Sequence, residues 1–203
     1  MGKKKENLVI ADFSPKVRAA LGPAQGEEVL ARVRARYAAL CAENAGAPKA
    51  LKPHTEERLF PTIAFHQCLQ EAGWSKEQSR AFLYDAWAEL ADQMVQPLRK
   101  LMKCPGLYRL MPLGWHVVTR LSYGEKAGFR FRFYKVGGKR VKFDMLQCPY
   151  CQVCRKYGCP ELVTAFCHTD DISNEGLHPR LIWNRSKTLG EGADCCDFDV
   201  IVK

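Results

Sequence analysis

Apolar residues recur at helical spacing through most of the first 121 positions and at strand spacing in several later segments. From Glu27 to about Cys41, Leu30, Val33, Tyr37 and Leu40 fall on one helix face. A second helix is predicted from about Thr55 to Ala72, bent or restarted near Pro61, which has no backbone donor, and stopped by Gly73. The third has the clearest start. Ser75 and Gln78 form a capping box, in which each side chain satisfies an orphan backbone N–H. Leu83, Trp87, Leu90, Met94, Leu98 and Leu101 then make one apolar stripe, with a kink expected at Pro97. Leu110, Leu113, Val117 and Leu121 mark a fourth, shorter helix from about Tyr108 to Leu121. Residues 1–23 are expected to be a loosely ordered lead-in with one short helical piece, and residues 24–203 a single domain.

After this the period changes. Phe129, Phe131 and Phe133 alternate with Arg130, Arg132 and Tyr134, which predicts a strand with one apolar face. Gly137-Gly138 turns it into a second strand near Val141 to Met145. Pro160 suits the first turn of a helix running to Cys167 or beyond, and Leu181–Trp183 and Cys196–Val202 read as two more strands. The fold class is therefore α+β: about four N-terminal helices packed on a small antiparallel sheet, with a Cys-rich helical insert.

Composition narrows the partners. A chain of 203 residues with 47% hydrophobic and 26% charged residues is long enough to bury a core. Its net charge of +9 favours anionic partners, but the basic residues are dispersed. The densest patch, Arg130, Arg132, Lys135, Lys139, Arg140 and Lys142, is more simply a solvated strand face, so a nucleic-acid partner is not expected. No apolar run reaches the roughly 18 residues of a membrane span, and no export signal opens the chain. A cytoplasmic protein with no membrane partner is expected, its ten cysteines reduced.

Seven of those cysteines lie from Cys148 onward, which concentrates the candidate chemistry there. Cys148-x2-Cys151-x2-Cys154-x4-Cys159-Pro160 is one residue longer than a ferredoxin-type run, and four thiolates so spaced can hold an iron–sulfur cluster or a zinc ion. The plainer alternative is a helix with four reduced thiols and no cofactor. On a helix, Asp170 and Asp171 stand three and four residues beyond Cys167, on its face, where a carboxylate can carry a proton during attack by sulfur. The same carboxylate disfavours a resting thiolate. In the last strand Cys196 shares the apolar face with Phe198, Val200 and Val202. Arg185 lies close in sequence to these elements and can clamp a carboxylate bidentately.

Phe166-Cys167-x2-Asp170, Arg185-x2-Thr188-Leu189 and Gly192-x3-Cys196-Asp197-Phe198 together resemble the L-2-amino-thiazoline-4-carboxylic acid hydrolase family. The resemblance extends over about residues 55–203, and Cys148-Pro149 and Gly158-x-Pro160-Glu161-Leu162 fit it, whereas Cys151 and Cys154 are departures that point to a specialised branch. It implies hydrolytic opening of a small cyclic amidine, with water added at the carbon between nitrogen and sulfur. On that basis Cys167 is the expected nucleophile, Asp170 the proton carrier and Cys196 a second thiol. Arg185 and Thr188 are expected to bind a small carboxylate substrate. A thiolate redox protein built on Cys148, Cys151, Cys154 and Cys159, loaded with iron–sulfur or zinc, is the alternative from another class.

Overall fold

The computed structural model describes residues 6–203; the first five positions of the expected lead-in lie outside the described residues. The remainder of that lead-in is more ordered than expected. Helix α1 spans Leu8–Leu21. Asn7 caps it, its Oδ1 accepting from the N–H groups of Val9 (2.9 Å) and Ile10 (3.3 Å). Val9, Ile10, Phe13 and Val17 are buried, and Phe13 meets Trp87 edge-on at 5.7 Å. Burial of a Phe of this kind stabilises by roughly 1.5–3 kcal/mol, enough to order a segment whose composition looks weak.

Helix α2 covers Pro23–Glu43. The next helix, α3, runs over residues 52–71 in three pieces: Lys52–His54, a π-helical turn Thr55–Leu59, and Phe60–Glu71. Helix α4, Lys76–Leu101, begins with the predicted capping box and continues through Pro97. Leu83, Trp87 and Leu90 of its stripe are buried, whereas Met94 and Leu101 are exposed.

Helix α5, Met111–Ser122, follows a 3-10 turn at Leu107–Leu110 and reverses the expected orientation. Its stripe faces outward: Leu110, Leu113, Val117 and Leu121 are all exposed. The opposite side holds Trp115, which packs on Trp183 with ring centroids 5.3 Å apart and donates to Asn174 Oδ1 at 3.0 Å. His116 sits edge-on to Phe133. A Trp buries more area than any single Leu or Val, and Trp115 also gains a hydrogen-bond partner on this side, so the aromatics meet the sheet.

The sheet comprises β1 (Arg130–Gly137), β2 (Arg140–Gln147), β3 (Leu181–Asn184) and β4 (Cys196–Val202), all pairs antiparallel, in the order β1-β2-β4-β3. Register places Phe133 beside Phe143 and Phe143 beside Phe198, an aromatic ladder across one face. The other face is polar, with Arg140 donating two bonds to Asp199. Directly after β2, Cys148 leads into α6 (Pro149–Lys156). Helix α7, Val163–Asn174, packs along α4 and faces the apolar side of the sheet through Phe166 and Cys167. The α+β architecture is as the periods predict.

Candidate active site

A cavity of about 60 Å³ lies between the apolar face of the sheet, α7, the π-helical turn of α3 and the start of α6. The thiols of Cys148, Cys167 and Cys196, the carboxyl of Asp170 and the guanidinium groups of Arg58 and Arg185 all reach it. Aromatic rings, including Tyr123, Tyr150 and Phe166, form its walls. A larger, open groove of about 540 Å³ on the polar face of the sheet holds Asp144, Asp197 and Asp199 but no thiol. The smaller cavity is therefore the candidate active site.

Helical spacing puts Asp170 one turn beyond Cys167, and β4 begins with Cys196 pointing to the same side as Phe198. Both predicted thiols thus line one cavity. Burial pushes the Cys167 thiol up to about 11, with Asp170 adding to the rise and Arg185 and a hydrogen bond with Thr188 opposing it. Burial pushes Cys196 up to about 12, although the backbone N–H of Leu189 donates to its sulfur at 3.2 Å. Both rest as neutral thiols near pH 7.

The segment between β3 and β4 closes over these sulfurs. Asp197 anchors it, accepting from the N–H groups of Ser186 (2.9 Å) and Lys187 (2.8 Å) and from the Ser186 hydroxyl. Thr188 caps the turn Leu189–Glu191 by accepting from the Glu191 N–H and donates its hydroxyl proton to the Glu191 carboxylate. Buried there, Thr188 braces Cys167 and the turn and is not presented to the cavity as a substrate ligand. The turn packs so closely that a Cβ on Gly190 would lie 3.0 Å from Cys167 Sγ and 2.9 Å from Val163 Cγ1. Glycine is required here by contact.

Arg185 also lines the cavity, but its side chain is only 5% exposed and is fully engaged. It donates to the Cys167 carbonyl (2.9 Å), to Asp171 (2.5 Å) and to Asp170 (3.4 Å), and packs over the Phe198 ring. Trp183 Nε1 donates to the other Asp171 oxygen at 3.0 Å. The expected substrate clamp is therefore an internal brace between α7 and the sheet. Asp170 lies deep in the molecule, and this desolvation lifts its carboxyl to about 6, against the pull of Arg185. Its side chain is 42% exposed and lines the cavity, so the carboxyl is accessible to a ligand.

The cation available to a ligand is Arg58. Among the described residues it forms no ion pair with a carboxylate. Burial works against its charge, but the hydroxyls of Tyr150 and Tyr123 and the more distant Asp170 outweigh this and raise its pKa. His54 completes the support. Its Nε2–H donates to the Ser122 carbonyl at 2.8 Å, which assigns Nδ1 as acceptor for the Tyr150 hydroxyl at 3.2 Å. Burial lowers the His54 pKa and keeps the ring neutral. The hydrogen bond Tyr150 makes with Arg58 continues this chain into the cavity. Sequence reasoning missed Arg58 because it reads as one more charge on an amphipathic helix; the single available signal was its position just before Phe60-Pro61, where the helix was predicted to bend.

The four thiols of the Cys148–Cys159 run stand as two pairs. Cys148 and Cys151 hydrogen-bond to each other beside the cavity, a contact that raises Cys148 and lowers Cys151. Cys154 and Cys159 are buried in the core and interact with each other; Cys159 Sγ also donates to the Cys154 carbonyl at 3.4 Å, and Cys154 is held strongly protonated by this neighbour and by burial. Cys148 stands at the extended N-cap of α6, and both Cys148 and Cys151 are near enough to Cys154 to add to the rise of its thiol. Among the described residues no group of three or more His, Cys, Asp or Glu side chains is arranged to hold a metal ion. His168, adjacent to Cys167, points away and stacks on Tyr84.

No curated protein matches the chain in sequence. Among solved structures, an Fe(II) unliganded H-NOX protein from K. algicida is similar over 98% of this chain and 97% of its own, at 11% identity and a TM-score of 0.34, a likeness too distant to inform the site. The family comparison is specific. The model of the L-2-amino-thiazoline-4-carboxylic acid hydrolase family matches residues 52–200, a span that opens just before Arg58 and includes Cys167, Asp170, Arg185 and Cys196. With more than half its length matched, the chain belongs to that family.

Proposed function

We propose that the protein is a thiol-dependent hydrolase that opens a small cyclic amidine carrying a carboxylate, such as a 2-amino-thiazoline carboxylate. The observation that supports this best is the charge layout of the cavity: Arg58 without a carboxylate partner, Asp170 accessible, and the Cys167 thiol next to it. A guanidinium pairs with a substrate carboxylate bidentately, and a carboxylate pairs with an amidinium. At about 60 Å³ the cavity lies far below the roughly 300–1,000 Å³ of drug-sized ligand sites. Only a compact ring suits it, and even that requires the walls to part.

The chemistry then balances. Asp170, ionised at neutral pH, takes the proton of Cys167 as sulfur attacks the ring carbon between sulfur and nitrogen. With the thiol at about 11 and the carboxyl at about 6, the proton leaves as the C–S bond forms and no thiolate accumulates beforehand. The ring C–S bond breaks, and Asp170 returns the proton to the departing ring sulfur. Water then adds to the isothiourea carbon held on Cys167, and the enzyme sulfur departs with a proton. The product is an open ureido acid with a free thiol, equal to substrate plus one water. Cys196, buried beneath the segment between β3 and β4, supports the sulfur-lined wall.

The test is direct. Ring opening is followed by loss of thiazoline absorbance and appearance of titratable thiol. Cys167→Ser is expected to lower turnover at least about 10³-fold, as removal of a nucleophile does, with the fold retained by circular dichroism; undiminished turnover removes the proposal.

A further inference from the structure

Helix α5 is covered by the sheet on one side and, among the described residues, is left open on the other. Its outer face presents Leu113 (48% exposed), Val117 (47%), Val118 (50%) and Leu121 (80%), continued by Leu110 (60%) from the preceding turn. With Met94 and Leu101, seven of the ten large hydrophobic side chains exposed among the described residues fall between positions 94 and 121. Single exposed apolar residues are ordinary, but a contiguous face of this kind marks a contact surface.

Charge identifies the partner. From Gln93 to Gly124 the sequence has no acidic residue and five basic ones; Arg99 is paired with Asp92, and Lys100, Lys103, Arg109 and Arg120 form no ion pair among the described residues. Arg109 and Arg120 flank the apolar face at its two ends and are exposed. A second copy docked on this face in two-fold symmetry, helix against antiparallel helix, would set Arg109 of one copy near Arg120 of the other, a like-charge contact. A bilayer with anionic headgroups accepts both features at once, since the apolar residues enter the headgroup boundary and the cations meet phosphates. No helix among the described residues is long and apolar enough to cross a membrane, so the contact is one of lying on the surface. We infer that the outer face of α5 is a docking surface for an anionic membrane.

The test uses the full chain and sedimentation with vesicles of phosphatidylcholine, either alone or mixed with phosphatidylglycerol. The expected result is co-sedimentation with the mixed vesicles only, weakened steeply by salt. Replacing Arg120 with Gln should weaken binding about fivefold, the worth of one surface cation. The pair Leu113→Glu and Val117→Glu should lower it at least about tenfold while helical circular dichroism is kept. Wild-type protein that stays in the supernatant with mixed vesicles at low salt overturns the inference whatever the variants do. So does a dimer in solution that the Glu pair dissociates and that ignores lipid. Equal binding to both vesicle types overturns the charge argument.

Discussion

Arg58 and Arg185 reach the same cavity with opposite engagements. Arg185, on the strand side, is 5% exposed and saturated by two carboxylates and a carbonyl. Arg58, on the helix side, is held by phenol hydroxyls and leaves its charge to the cavity. Two guanidinium groups within one site thus divide the work. One joins α7 to the sheet and fixes the backbone around Cys167; the other, on the proposed function, is the one that would take a substrate carboxylate. A buried arginine is read as a ligand-binding residue only after its carboxylates have been counted.

Four substitutions and one pH profile test this division and the site around it. Arg185→Met strands Asp170 and Asp171 and should cost about 2–4 kcal/mol in urea unfolding, less than the roughly 3–5 of a fully buried pair because water reaches both acids. Stability unchanged by this substitution contradicts the brace. Arg58→Gln should leave the unfolding midpoint nearly in place and raise KM for a carboxylate substrate about 10–100-fold, and the difference should vanish for a substrate whose carboxylate is replaced by an amide. Gly190→Ala drives a methyl group into Cys167 Sγ and Val163, and about 1–3 kcal/mol of overpacking is expected, with ring opening slowed. The smallest effect is in pH. Asp170 must be ionised to accept a proton, so kcat/KM should be full above about pH 6 and fall below it. Because the neighbouring Asp171 charge adds to the rise at Asp170, Asp171→Asn should move that acid limb to lower pH. A limb that stays in place in Asp171→Asn assigns it to another group.

Much of this molecule is legible in its sequence where one local rule acts alone. The Ser75–Gln78 box, the Gly137-Gly138 hairpin and the alternation along Cys196–Val202 appear in the structure as predicted. Rules that compete are where the reading goes astray. On α5 the Leu/Val stripe marks an amphipathic helix, but Trp115 and His116 on the other side win the sheet. The lead-in had its signal in Val9, Ile10, Phe13 and Val17, but a short segment beside Lys3-Lys4-Lys5 gives little weight to periodicity. Arg185 was visible beside the thiols, and Asp170 and Asp171 were visible on the Cys167 face; that they would meet each other first depends on how β3 passes α7, which no local pattern states.

The π-helical turn at Thr55–Leu59 has a consequence for inheritance. Such a turn holds one more residue than an α-helical turn of the same span. Loss of any one residue within it would let the helix relax to ordinary pitch and rotate everything on its N-terminal side by about 100° against the rest. With Phe60–Glu71 anchored in the core, His54 would swing away from Tyr150, and the arginine would forfeit the support that aims it. A point substitution at Arg58 removes one charge; a one-codon deletion nearby dismantles the whole anion-binding corner, which makes this stretch intolerant of length change even where it tolerates changes of residue.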